Sequence, residues 1–228
     1  MKPFLWIALD ALTRREEETL KLAGSLAIIT GDFGFKINLD YLLKRGVHEA
    51  VTNVSFLGRP LFADLKMWNG SRTMMDTVDM LVAREVRYLN MYALADTMLA
   101  KAVKQARGSH TEVLGLTVLT HYDEAYCQKY FRRSLSETVR LLSETALDAG
   151  CHGVILPGST MCTVADLTCK KMVPGIRPEW FKDDRHEEET LPLEAKQGGA
   201  TDVVCGSPIT KADDPKSALS RILEELRQ

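Results

Sequence analysis

Long apolar runs are missing from this chain. No stretch reaches the roughly twenty apolar residues that a membrane span requires, so nothing in it reads as a transmembrane helix. The opening MKPFLWIALDAL meets an aspartate before a long apolar run is complete and passes into TRREEETLKLAG, which is unlike an export signal. Charge of one sign is missing too. The 29 Lys and Arg face 31 Asp and Glu, a formal net charge of -2, so no general attraction to nucleic acid or to anionic membrane is implied. Cysteine is scarce: Cys127, Cys151, Cys162, Cys169 and Cys205 are odd in number and show no CxxC spacing. A reducing, cytoplasmic setting without structural disulfides fits that usage.

Several familiar chemical signatures are absent as well. His48, His110, His121, His152 and His186 form neither HExxH nor another close ligand spacing, so no metal site is expected. There is no GxSxG nucleophile elbow and no GxxxxGK[ST] phosphate loop. GDFGF has too few elements for a dinucleotide fingerprint and lacks the acidic follower of a Rossmann unit. Aromatic and basic residues show no organised RNA-binding module.

What is present is alternation. The 45% hydrophobic content of 228 residues suffices for one sizeable core, and a single domain over residues 1–228 is expected. FLWIALD, GDFGFKI, PLFADLK, RYLNMYA, VLGLTVLT, HGVILPG, KMVPG and TDVVCG read as short buried strands. Between them lie LTRREEETLKLAG, LDYLLKRG, TMMDTVDMLVARE, ADTMLAKAVKQARG, SLSETVRLLSETALDAG, TVADLTCKK and PLEAKQGG, read as helices, and PKSALSRILEELRQ closes the chain. Apolar strands joined by helices predict parallel pairing with helices over the sheet. An open doubly wound sheet satisfies the same pattern, but eight repeated units favour an α/β fold of the (β/α)8 TIM barrel type.

In such a barrel the C-terminal strand ends carry the chemistry. Asp10 ends the first strand, Lys36 lies late in the second, and Asp64 and Lys66 end the third, two residues apart and so on one face. Thr117 and Thr120 punctuate the fifth. Each has an ordinary alternative: Asp10 as a helix cap, Lys36 snorkelling to solvent, the threonines bonding to backbone. Should Lys36, Asp64 and Lys66 converge, their alternating signs would offset part of the desolvation cost and hold amines and carboxylate in place. The glycines of VPGIRP, which contains Pro174, and of VVCGSPI, which contains Gly206 and Ser207, follow late strands and suit a bound phosphate.

Taken in order, IALD, FKINLDYL, LFADLK, GLTVLT, VPGIRP and VVCGSPITKADDP resemble the orotidine 5'-phosphate decarboxylase family over essentially the whole chain. The resemblance implies a cofactor-free barrel that forms a homodimer with shared active sites. It implies that Asp10 contacts the nucleotide ribose and that Lys36 links ribose and charged network. Asp64 would lie near the departing carboxylate, and Lys66 would donate a proton to the carbon left by CO2. Thr120 would lie near the pyrimidine, and Thr73 would be supplied across the dimer interface. The ligand implied is a pyrimidine nucleoside monophosphate, with no nucleic acid and no membrane as partner.

The sequence departs from that family in two places. Where the motif DxKxxD has its second aspartate, donated by the partner subunit, DLKMWN has Asn69, followed by Gly70 and Ser71 instead of isoleucine and proline. A carboxamide hydrogen-bonds but does not stabilise an ammonium by charge. Where the family carries an arginine for the phosphate, CGSP has Ser207, and the resemblance aligns Arg185 with a phosphate-reaching glutamine, so that Arg185 would restore the charge. The expected function is decarboxylation of orotidine 5'-phosphate to UMP in pyrimidine biosynthesis. The alternatives are a decarboxylase of a related nucleotide or sugar phosphate, the latter with a divalent metal, and a catalytically impaired nucleotide-binding dimer.

Overall fold

The computed structural model describes residues 2–181 and 190–228. Among the described residues eight strands, all parallel, close on themselves in sequence order: β1 (Phe4–Ala8), β2 (Phe33–Asn38), β3 (Leu61–Met67), β4 (Tyr88–Tyr92), β5 (Glu112–Leu116), β6 (Gly153–Ile155), β7 (Lys170–Val173) and β8 (Asp202–Cys205). Closure is made by β1 against β8, with Phe4 opposite Asp202 and Ile7 opposite Cys205. The (β/α)8 barrel expected from the alternation is therefore the fold.

The helices are α1 (Glu16–Ala27), α2 (Leu39–Arg45), α3 (Val47–Ser55), α4 (Ser71–Val82), α5 (Thr97–Gln105), α6 (Glu124–Phe131), α7 (Leu135–Asp148), α8 (Pro192–Gln197), α9 (Ser207–Thr210) and α10 (Pro215–Glu225). Three differ instructively from the sequence expectation. The segment TVADLTCKK is not a helix: a 3-10 stretch over Gly158–Val164 runs into its first two residues, and Lys170 and Lys171 already belong to β7. Helix α3 was not expected, because Gly46 ends α2. Gly46 sits at φ 74, and the chain restarts at once as a helix that buries Ala50, Val51 and Val54. Helix α6 lacks a clean apolar stripe and buries only Cys127; it is nucleated by Asp123, whose carboxylate accepts the Tyr126 N–H at 2.8 Å.

Two apolar layers follow from strand alternation. Outward residues such as Leu5, Ile7, Phe35, Leu61 and Leu89 pack under the helices. Inward residues Trp6, Ala8, Phe62, Tyr88, Leu114, Leu116, Ile155, Met172 and Val204 fill the barrel. The lower half is plugged by aromatic rings: Trp6 lies 5.8 Å from Phe62 and 5.0 Å from Tyr88 between ring centroids. Gly34 makes this possible, since a Cβ there would come within 2.7 Å of the Trp6 ring and 2.5 Å of the Pro60 carbonyl oxygen. Below the rings, the Trp6 indole donates to Asp202 at 3.0 Å, and Lys170 bridges Glu112 at 2.5 Å and the Tyr88 hydroxyl at 2.8 Å. The rings thus close the barrel at that end, where the polar groups pair with one another, and leave the other end open. All five cysteines are free. No helix among the described residues is long and apolar enough to cross a membrane.

Candidate active site

Above the aromatic plug the inward positions turn polar. β1 gives way to Asp10, β2 carries Lys36 and Asn38, β3 carries Asp64 and Lys66, and β4 carries Asn90. They line a cavity of about 440 Å³, within the ordinary range for a small-molecule site. Its floor is apolar, made by Phe62, Leu116, Ile155, Met172 and Val204.

The charged wall is ordered by Asp64. Its Oδ2 accepts from Lys36 Nζ at 2.9 Å and forms a close ion pair with Lys66 Nζ. Its Oδ1 accepts from Asn90 Nδ2 at 2.7 Å. Lys36 also reaches Asp10 Oδ1 at 3.4 Å and bonds Asn38 Oδ1, while Asn38 Nδ2 donates to the same Asp10 oxygen at 3.0 Å. Lys36 does not snorkel: its side chain, like that of Asp64, is 8% exposed. Nor does Asp10 cap α1, whose N-cap is Arg15. Thr117 does take the ordinary role, donating to the Ile155 carbonyl at 2.8 Å.

Charge and burial set the ionisation states. Burial pulls Lys36 down, but the carboxylates of Asp64 and Asp10 outweigh it and hold the ammonium above its ordinary range. Burial opposes ionisation of Asp64, yet the two lysines keep its carboxyl far below the usual carboxylate range. Asp10 likewise stays low against burial through Lys36 and Asn38. Lys66 goes the other way: burial lowers it, Asp64 opposes the shift, and the neighbouring Lys36 charge adds to it. A buried anion between two cations, one of them with a weakened hold on its proton, is an arrangement suited to proton donation.

Lys66 is also unusual in its backbone. Its φ of 47 is in the left-handed region, which costs a non-glycine residue roughly 1–3 kcal/mol. It falls where the β3–β4 register slips, after Ala63 opposite Leu89 and before Met67 opposite Met91.

The cavity is also lined by Pro174, Gly175 and Arg177 after β7, and by Gly206 and Ser207 where α9 begins, Gly206 lying beside Ala8 and Asp10. Arg177 is 4% exposed, its guanidinium 5.7 Å from the centre of the Phe181 ring. Thr120 and His121, beyond β5, complete the wall. Among the residues expected from the sequence, Asp10, Lys36, Asp64, Lys66, Thr120, Pro174, Gly206 and Ser207 therefore meet around one cavity. Asn69 and Thr73 do not line it; both are exposed, and the Asn69 side-chain oxygen accepts the Gly70 N–H at 2.7 Å. Arg185 lies outside the described residues. Sequence reasoning missed Asn38, Asn90 and Arg177. Arg177 was findable, as an arginine four residues past the end of β7 and two past the glycine in VPGIRP. Among the described residues, no group of three or more His, Cys, Asp or Glu is gathered to hold a metal ion.

Comparison with known proteins gives a consistent answer. A family model described as orotidine 5'-phosphate decarboxylase / HUMPS family matches residues 3–222. The orotidine 5'-phosphate decarboxylase of Methylacidiphilum infernorum is 32% identical over 199 residues, 84% of this chain and 85% of that protein. That of Paramagnetospirillum magneticum is 30% identical over 234 residues, 97% of each. The crystal structure of orotidine 5'-phosphate decarboxylase from Lactobacillus acidophilus shares the fold with a TM-score of 0.81, at 24% identity and covering 100% of both chains.

Proposed function

The chain belongs to the orotidine 5'-phosphate decarboxylase / HUMPS family, and on that premise we propose that it decarboxylates orotidine 5'-phosphate to UMP without a cofactor. Family membership supports a carboxy-lyase of pyrimidine nucleotide metabolism in general. The specific reaction rests on one observation: Asp64 is held ionised between Lys36 and Lys66 on the wall of a cavity with an apolar floor.

In this reading the phosphate faces Arg177, with Pro174, Gly206 and Ser207 around it. Arg177 supplies the charge that Ser207 does not, and Arg185 remains a second candidate for that charge. Asp10 and Lys36 hold the ribose, and Thr120 lies near the base. These contacts fix the pyrimidine so that its carboxylate lies against Asp64, and like charge disfavours that ground state. The C–C bond to the carboxylate breaks, CO2 leaves, and the electron pair stays on the ring carbon. Lys66 stabilises that developing charge and then transfers a proton from Nζ to the carbon, becoming neutral. Its lowered proton affinity favours this transfer.

A homodimer belongs to the same proposal. In it the exposed Trp68, Asn69 and Thr73, which follow Lys66 in the chain, face a second copy. Asn69, a carboxamide where the family motif has a carboxylate, favours the second reading, a nucleotide-binding dimer with impaired turnover. Release of CO2 from orotidine 5'-phosphate by the purified protein, abolished in Lys66→Ala, is the expected result. No release from the parent protein overturns decarboxylation of this substrate. Tight UMP binding without turnover would then select the impaired dimer, whereas a requirement for a divalent metal with a sugar phosphate would select the metal-dependent alternative.

A further inference from the structure

We propose that Asn90 is the positioning residue of this site, a single carboxamide that aims the Asp64 carboxylate and anchors the backbone turn from which Lys66 projects. The inference rests on the reading of Lys66 as proton donor, but its structural half stands without it.

Asn90 is 1% exposed and sits on the inward face of β4 between Tyr88 and Tyr92. Its two polar atoms are spoken for in opposite senses. Nδ2 donates to Asp64 Oδ1 at 2.7 Å, and Oδ1 accepts the backbone N–H of Lys66 at 2.8 Å. The chemistry of the partners fixes this orientation, because an ionised carboxylate only accepts and a backbone N–H only donates. An apolar side chain of similar size serves neither, and a hydroxyl offers donor and acceptor only at one oxygen, not at two separate atoms.

Two consequences follow for the reacting groups. With Oδ1 of Asp64 taken by Asn90, both lysines are directed to Oδ2, so the carboxylate plane is set by three donors on three sides. A carboxylate so held meets a substrate carboxylate in one orientation. For Lys66, the register slip between Ala63 and Met67 removes the regular ladder against β4. Its N–H would point into the barrel unsatisfied, and a buried unpaired donor would weigh against the left-handed turn at φ 47. Asn90 accepts that N–H. The turn is thereby stable, and it sends the Lys66 ammonium along the wall to Asp64.

The test uses Asn90→Leu and Asn90→Asp in the full chain. Asn90→Leu removes both bonds; kcat is expected to fall about 100-fold while the Kd for UMP changes by less than about threefold, a misplacement without loss of binding. Asn90→Asp still accepts from Lys66 but donates to Asp64 only when protonated. Its kcat is expected to fall as pH rises through titration of that carboxyl pair, a limb absent from the parent profile. Amide hydrogen exchange at Lys66 needs no substrate. It should accelerate by about tenfold or more in Asn90→Leu and stay near the parent rate in Asn90→Asp.

Parallel loss of UMP binding and kcat in Asn90→Leu, or a parent-like pH profile in Asn90→Asp, overturns the positioning role. Unchanged exchange at Lys66 in Asn90→Leu overturns the anchoring of the turn. A parent protein that releases no CO2 is a failure of the proposed reaction instead, and the exchange measurement still decides the anchoring.

Discussion

Nζ of Lys36 lies 2.9 Å from Oδ2 of Asp64, and each side chain is 8% exposed. Removing Asp64 leaves Lys36 stripped of water with only the longer ion pair to Asp10 at 3.4 Å. Asp64→Ala is therefore expected to destabilise the protein by about 3–5 kcal/mol, measured by urea unfolding. A loss of less than about 1 kcal/mol would mean that Asp10, 3.4 Å from Lys36, or water takes over the charge once Asp64 is gone.

The same pair sets an acid limit. Burial works against ionised Asp64, but Lys36 and Lys66 hold its folded-state pKa below the ordinary 3.8. A depressed carboxyl contributes stability that is fully present above the unfolded value and is lost as pH falls through the folded one. Unfolding free energy should therefore drop as pH falls below about 3.8, and the drop should be shallower in Asp64→Asn. Equal slopes in the two proteins would remove Asp64 as the group responsible.

Lys66 sets the alkaline limit. Burial lowers its pKa from 10.5, Asp64 opposes the shift and Lys36 adds to it. Since the ammonium is the proton donor in the proposed reaction, kcat/KM, which reports the free protein, should fall as pH rises, with a midpoint below 10.5. Lys66→Ala should lower kcat by about 10²–10⁴, the usual scale of a lost general acid. A kcat/KM independent of pH up to pH 10.5 would contradict this assignment.

How far could these groups be read from the sequence? Asp64 and Lys66 were legible because strand periodicity puts residues two apart on one face, and Asp10 and Lys36 because they lie at strand ends. Asn90 was not. Its two partners are 24 and 26 residues away, and nothing in RYLNMYA marks that asparagine as more than a polar residue inside a strand. The barrel followed from alternation alone, whereas α3 and α6 depended on a glycine break and an aspartate cap, which are local signals rather than apolar stripes.

Arg177 should govern recognition of the phosphate. Arg177→Ala is expected to weaken UMP binding by about tenfold to a hundredfold, the value of a charged hydrogen bond, and to leave uridine binding nearly unchanged. Calorimetry with both ligands checks it. Equal losses for UMP and uridine would make Arg177 a packing residue against Phe181.

The aromatic plug should carry much of the stability. Trp6 is 1% exposed, and its indole also partners Asp202. Trp6→Ala is expected to cost about 3–5 kcal/mol and to lower Tm by about 10 °C. A Tm within about 2 °C of the parent would show that the floor collapses to fill the space.

That plug has a bearing on traffic. With Trp6, Phe62 and Tyr88 filling the barrel beneath the cavity, the vessel has its mouth at the strand C-terminal end. On the proposed chemistry, two products of very unequal size form in it and share that exit. The gas forms at the inner wall, beside Asp64, while the nucleotide spans the distance from there to Arg177. Departure becomes a queue in which the small molecule must pass the large one or wait behind it.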